Sequence, residues 1–158
     1  MRRGICASLT LILFCTLPLH YGPSVSASSI DTKELVRLIN RYRESQGVEP
    51  LERNRRLEQS SANKAKEMVS ARYFGHSGPA GNPFYVNIRK AGYKYSRVGE
   101  ILARGCESEK CLFDLWVESR EHRQIILDPV FQEIGCSDRA ANATDRYFAV
   151  CHFGRPGE

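Results

Sequence analysis

Cys106, Cys111, Cys136 and Cys151 crowd the last third of the chain, and the other two cysteines, Cys6 and Cys15, lie in an apolar N-terminal stretch. Any fold must bring partners among the first four to within about 5.5–6 Å between Cα atoms if they are oxidised. An even set in an exported domain reads as disulfides, and four cysteines allow three pairings. We expect Cys106–Cys111, closing a tight local loop, and Cys136–Cys151, tying two neighbouring strands. Zinc is the rival use, but the CxxC spacing that structural zinc sites favour is missing.

Disulfides need an oxidising compartment, and the N-terminus supplies the route to one. Arg2 and Arg3 precede an apolar run from Ile5 to Leu19, and Val25-Ser26-Ala27 offers small residues for a signal peptidase. Residues 1–27 are therefore expected to be a signal peptide carrying Cys6 and Cys15, with one domain over 28–158. An uncleaved anchor helix is the alternative, but Pro18 and His20 end the run short of the roughly 20 residues a membrane span needs. Nothing later in the sequence is apolar for long enough, so no stable membrane span is expected. The protein should be secreted or periplasmic. Arg2 and Arg3 account for two of the five net positive charges, leaving the domain near +3. The densest basic group, Arg53, Arg55 and Arg56, lies among Glu49, Glu52 and Glu58. That describes a solvated helix start rather than a nucleic-acid surface.

Helical and extended patterns alternate along the domain. Asp31 or Thr32 caps a helix with Leu35, Leu38, Ile39 and Tyr42 on one face, Arg37, Arg41 and Arg43 in water, and Gly47 at its end. Pro50-Leu51 opens an extended link, and Asn54 caps a second helix that presents Leu57, Ser61, Ala65 and Met68 and ends near Arg72. Tyr73 to Pro83 is a Gly-, Pro- and Ser-rich loop. A short helix follows over Phe84 to Lys90, then a strand over Val98 to Ala103 and a helix from about Lys110 to Arg120. Another short helical segment, Gln124 to Leu127, is stopped by Asp128-Pro129. Gln132 to Ser137 and Tyr147 to Phe153 read as an antiparallel pair. Asn142-Ala143-Thr144 is a glycosylation sequon if the source is eukaryotic. Helices giving way to strands indicate an α+β layered domain.

His76, Glu100, Glu118 and His122 each fall where an element meets a loop, a common place for functional groups. If the helix runs on, Glu118 and His122 share a face. His152 alternates with Cys151 on a strand and is expected at the surface; Trp116 is expected in the core.

The segments holding these residues are familiar. Tyr73-Phe74-Gly75-His76-Ser77-Gly78-Pro79-Ala80-Gly81 followed by Ala91-Gly92-Tyr93 resembles the "YFSH-x-x-PDG … AGY" run of secreted bacterial CAP domains, also called SCP-like domains. Val98-Gly99-Glu100 resembles the family's "GEN" motif, and Trp116 to Leu127 resembles "W-M-x-S-P-G-H-R-x-N-I-L". Phe131-Gln132-Glu133-Ile134-Gly135 and Tyr147-Phe148 with Phe153-Gly154 are similar to its paired end strands. The resemblance runs from Leu35 to Gly154 and implies a three-layer α-β-α sandwich with a small antiparallel sheet. It also implies a cleft lined by two histidines and two acids, which map to His76, His122, Glu100 and, one position off the pattern of many animal members, Glu118. Ile101 stands where "GEN" has asparagine. Arg120-Glu121 replaces "P-G" and sets a further acid beside His122.

Two imidazoles on one cavity suit a divalent metal such as zinc, with His76 and His122 as ligands and water or a carboxylate completing the shell. Glu100 would fix a histidine tautomer from behind. The main expectation is recognition of a protein, lipid or cell-envelope ligand by a secreted domain, with enzymatic activity left open and not favoured. One alternative is a metal-assisted hydrolase, protease or esterase, with Glu100 or Glu118 as base. No HExxH, G-x-S-x-G or free cysteine nucleophile supports it. Another is a sterol or fatty-acid binding module, using the aromatic set Tyr73, Phe74, Phe84, Tyr85, Tyr93 and Tyr95. A purely structural His–Glu cluster that pins loops is the remaining reading.

Overall fold

Asp31 accepts from the backbone N–H groups of Lys33 and Glu34 and starts α1, Thr32–Ser45; Asn54 does the same for Arg56 and Leu57 at the start of α2, Arg55–Ser70. The computed structural model describes residues 30–141 and 147–157. The expected signal peptide and the Asn142 sequon lie outside the described residues. Between the two helices a two-residue strand, β1 (Glu52–Arg53), occupies the extended link. The remaining elements are α3 (Tyr85–Lys90), β2 (Tyr95–Arg104), α4 (Glu109–Glu118), α5 (Arg120–Ile126), β3 (Glu133–Ala140) and β4 (Tyr147–Pro156).

The strands form one sheet in the order β1-β3-β4-β2. β4 pairs antiparallel with both β3 and β2, as the sequence pattern predicts for its partnership with β3, whereas β1 joins β3 in parallel. The sheet is therefore mixed, and the short β1 went unanticipated because two residues carry no periodicity.

Strand alternation divides the side chains between two faces. Ile101, Ala103, Cys136, Ala149, Cys151 and Phe153 enter one cluster with Leu35, Ile39, Leu112 and Trp116 of α1 and α4. Leu102, Phe148 and Val150 face the other way, onto Ala65 and Met68 of α2. Helices thus cover both faces, and the result is a three-layer α-β-α sandwich. α2 lies against β3 so closely that a Cβ at Gly135 would sit 2.1 Å from the backbone nitrogen of Glu58. Cys106–Cys111 and Cys136–Cys151 are the two disulfides, the second joining directly paired residues of β3 and β4.

Two burial expectations need correction. Arg43, expected in water, is fully buried. Its guanidinium donates to the carbonyls of Glu49, Ile126, Asp128 and Phe131, and so ties α1 to the chain leaving α5. His152, expected at the surface, is also fully buried. It does face away from Cys151, but in a three-layer domain that second face meets α2 rather than solvent.

Candidate functional site

Glu100 reaches its place because β2 alternates: Gly99 and Ile101 face α1 and α4, and Glu100 turns toward α2. Its side chain is wholly buried, and each carboxylate oxygen has one imidazole partner. His76 Nδ1 lies 2.7 Å from Oε1, and His152 Nε2 lies 2.9 Å from Oε2. Burial pushes the Glu100 carboxyl up. The bonds from His152 and His76, with Lys64 nearby, outweigh that and hold it below the usual carboxylate range. An ionised Glu100 accepts from both rings, so His76 carries its proton on Nδ1 and keeps the Nε2 lone pair free.

A second row stands behind this carboxylate. Ser60 Oγ of α2 lies 2.6 Å from His152 Nδ1 and donates to the Leu57 carbonyl at 2.8 Å. Lys64, one turn further along α2 and also buried, donates to the His76 carbonyl at 2.8 Å and to the Tyr73 hydroxyl at 3.0 Å. It anchors the loop that carries His76. Burial lowers the Lys64 ammonium, and Glu100 and Glu67 only partly offset that. His152, Ser60 and Lys64 were missed from the sequence. The spacing of Leu57, Ser60, Ser61, Lys64, Ala65 and Met68 was the available signal, because 60 and 64 fall on the buried stripe.

His122 is delivered by a break in the helix. Ser119 has extended backbone, with φ −78° and ψ 125°, ends α4 and caps α5 by accepting from the His122 N–H. The ring's Nδ1 is buried and has no hydrogen-bond partner among the described residues. Burial, and then the proximity of His76, keep the His122 imidazole below its ordinary value. The same break separates Glu118 from His122. Glu118 ends α4, exposed, and the two do not share a helical face. The structure therefore brings His76, Glu100 and His152 into direct contact and sets His122 near His76, with Glu118 outside that contact network.

A cavity of about 520 Å³ opens beside the cluster, with His76, Glu100, Phe84, Val98, Ile125 and Phe131 in its lining. The aromatic set mostly packs inward: Tyr73 and Phe74 against the α2 cluster, Phe84, Tyr93 and Tyr95 around Ile88. Among the described residues, Leu115 is the one exposed large hydrophobic side chain. No group of three His, Cys, Asp or Glu placed to hold a metal occurs among them either.

Comparison with known proteins identifies the family and the fold. A profile described as CAP, the cysteine-rich secretory protein family, matches residues 36–153. An uncharacterized Bacillus subtilis protein, YkwD, is 34% identical over 111 residues, covering 70% of this chain and 43% of its own length. The chain thus spans less than half of that relative. An outer surface protein from Borrelia burgdorferi superposes with a TM-score of 0.73 at 23% identity, over 80% of this chain and 93% of its own. An extracellular SCP-domain protein from Bacillus anthracis gives 0.70 at 19% identity, over 78% of this chain and 39% of its own. With the profile spanning most of the sequence and the sandwich shared with these structures, the chain belongs to the CAP family.

Proposed function

We propose that this CAP domain acts by recognition outside the cytoplasm, through the cleft beside His76, and that His76 and His122 take a divalent metal such as zinc there. The observation that carries the reading is the engagement of both Glu100 oxygens by imidazoles. Both oxygens already accept from imidazoles, and the group is held ionised in a dry setting. A general base must be within reach of substrate or water, and the Glu100 side chain is wholly buried behind the two rings. Glu100 instead serves as a positioning group that presents the Nε2 of His76 outward.

The donor set fits a weak, open metal site. Among the described residues nothing engages the His76 Nε2, and the buried His122 Nδ1 has no hydrogen-bond partner, which costs on the order of 1–3 kcal/mol unless something satisfies it. Two imidazoles leave the rest of the shell to water or to a ligand. A bound zinc would supply an electrophilic point for a ligand's carbonyl or carboxylate. The protein's own part is to fix the His76 tautomer through Glu100 and to keep His122 readily deprotonated by burial.

Calorimetric titration of zinc into the purified domain tests this. The native protein should bind one ion, and a His76→Ala, His122→Ala variant should lose at least tenfold in affinity. Equal affinities would end the metal reading. Turnover of peptide or ester substrates that survives zinc chelation and vanishes in Glu100→Gln would overturn recognition in favour of catalysis.

A further inference from the structure

The cleft runs along an unpaired strand edge, and its lining shows this. Phe84 and His76 lie on the α2 and α3 side of the sheet, and Ile125 and Phe131 lie on the α1 and α4 side. Residues from both layers line one cavity together with Arg97 to Glu100 because the cavity straddles the outer edge of β2. β2 is an edge strand whose sheet partner is β4.

The register tells which backbone groups point into that space. The Gly154 carbonyl accepts from the Gln132 N–H and so faces β3. In an antiparallel ladder, the residue paired with Gly154 across β2 is then not hydrogen-bonded to it. That residue is Val98, and the alternation repeats at Glu100, which pairs with His152. The N–H and C=O of Val98 and Glu100 therefore point outward. Among the described residues no loop or side chain hydrogen-bonds them there. Glu100 is only 3% exposed, and buried backbone groups are almost always paired. The cavity is where a partner would meet them.

We infer that the cleft binds an extended basic peptide, which adds as a strand to the free edge of β2 at Val98 and Glu100. This rests on the recognition reading and names its partner. Two outward donor–acceptor pairs about 6.7 Å apart match the repeat of another peptide backbone. An added strand sends alternate side chains to the Ile125 and Phe131 side and to the His76 and Phe84 side. Charge sets the preference for basic residues. Glu121 and Asp128 line the cavity, against one lining cation, Arg97, which is 3.9 Å from Asp128.

The probe is an acetylated and amidated heptapeptide alternating lysine and valine. Controls are the same peptide with glutamate for lysine, and a twin N-methylated at every interior amide. In proton–nitrogen spectra of the native domain, the basic peptide should shift the amides of Val98 and Glu100 and slow their hydrogen exchange. Both controls should bind at least tenfold more weakly. Val98→Pro removes an outward donor without touching the β4 ladder, a substitution edge strands accept. It should cost the peptide at least tenfold while leaving the zinc titration unchanged, so this inference can fail while the metal reading stands. Equal binding of the N-methylated twin, or no response at Val98 and Glu100 with millimolar peptide, would overturn it. So would a dimer of the free protein with those two amides protected, which would make the occupant a second copy.

Discussion

Arg43 shows how a single buried cation organises a wall of the cleft. Among the described residues no carboxylate lies within its hydrogen-bonding reach, and its donors go to four carbonyls, two of them belonging to Asp128 and Phe131 at the cavity. Its burial depresses the guanidinium, against a weaker pull from Asp128. Arg43→Met keeps the stem and strands the carbonyls, so it should cost about 3 kcal/mol in urea unfolding. A loss below about 1 kcal/mol would mean that water replaces the guanidinium. The titrating groups give a second prediction. An unfolded histidine takes up a proton near 6.5, but His122 in the native state resists it. Stability from this group is thus present above that pH and lost as pH falls toward the depressed native value. Glu100 acts lower: its native value lies below 4.5, so its contribution holds above that pH and disappears as acid reaches the native value. Urea midpoints should fall in two stages, and His122→Gln should remove the upper stage alone. A single stage in the native protein would show that His122 is not shielded.

The elements explain what the sequence could and could not disclose. Helix caps, the strand pair and both disulfides follow from local chemistry and are where the pattern predicts. Arg43 was misplaced because its charge outweighed its spacing, although 35, 39 and 43 form one stripe along α1. His152 was misplaced because alternation tells which face a residue takes, not what lies over that face. Glu118 and His122 would share a face only if the helix ran on, and a serine between them is compatible with either outcome; Ser119 takes the extended conformation and caps α5. The contacts of Glu100 with His76 and His152 span 24 and 52 positions in sequence, beyond any periodicity. The packing of α2 on β3 gives its own test. Gly135→Ala drives a methyl into the backbone at Leu57 and Glu58, which cannot yield as a side-chain tip can. It should cost about 3 kcal/mol or prevent folding, whereas Gly75→Ala, with open space at its Cβ, should cost under about 1 kcal/mol. Equal effects would refute the close approach.

At the level of the whole molecule, the two disulfides constrain the chain unequally. Cys136–Cys151 closes 15 residues and Cys106–Cys111 closes 5, and the loop-entropy relation gives about 3 and about 2 kcal/mol respectively. Paired Cys→Ala variants compared by chemical denaturation should follow that order, and a reversed order would show that native packing, not chain entropy, sets their value.

β4 is the last strand in chain order, yet it lies inside the sheet, between β3 and β2. A ribosome releases β2 with no ladder partner and the Glu100 carboxylate without His152, and neither shortage ends until residues 147–156 emerge. The sheet therefore closes last, on the final strand to be made.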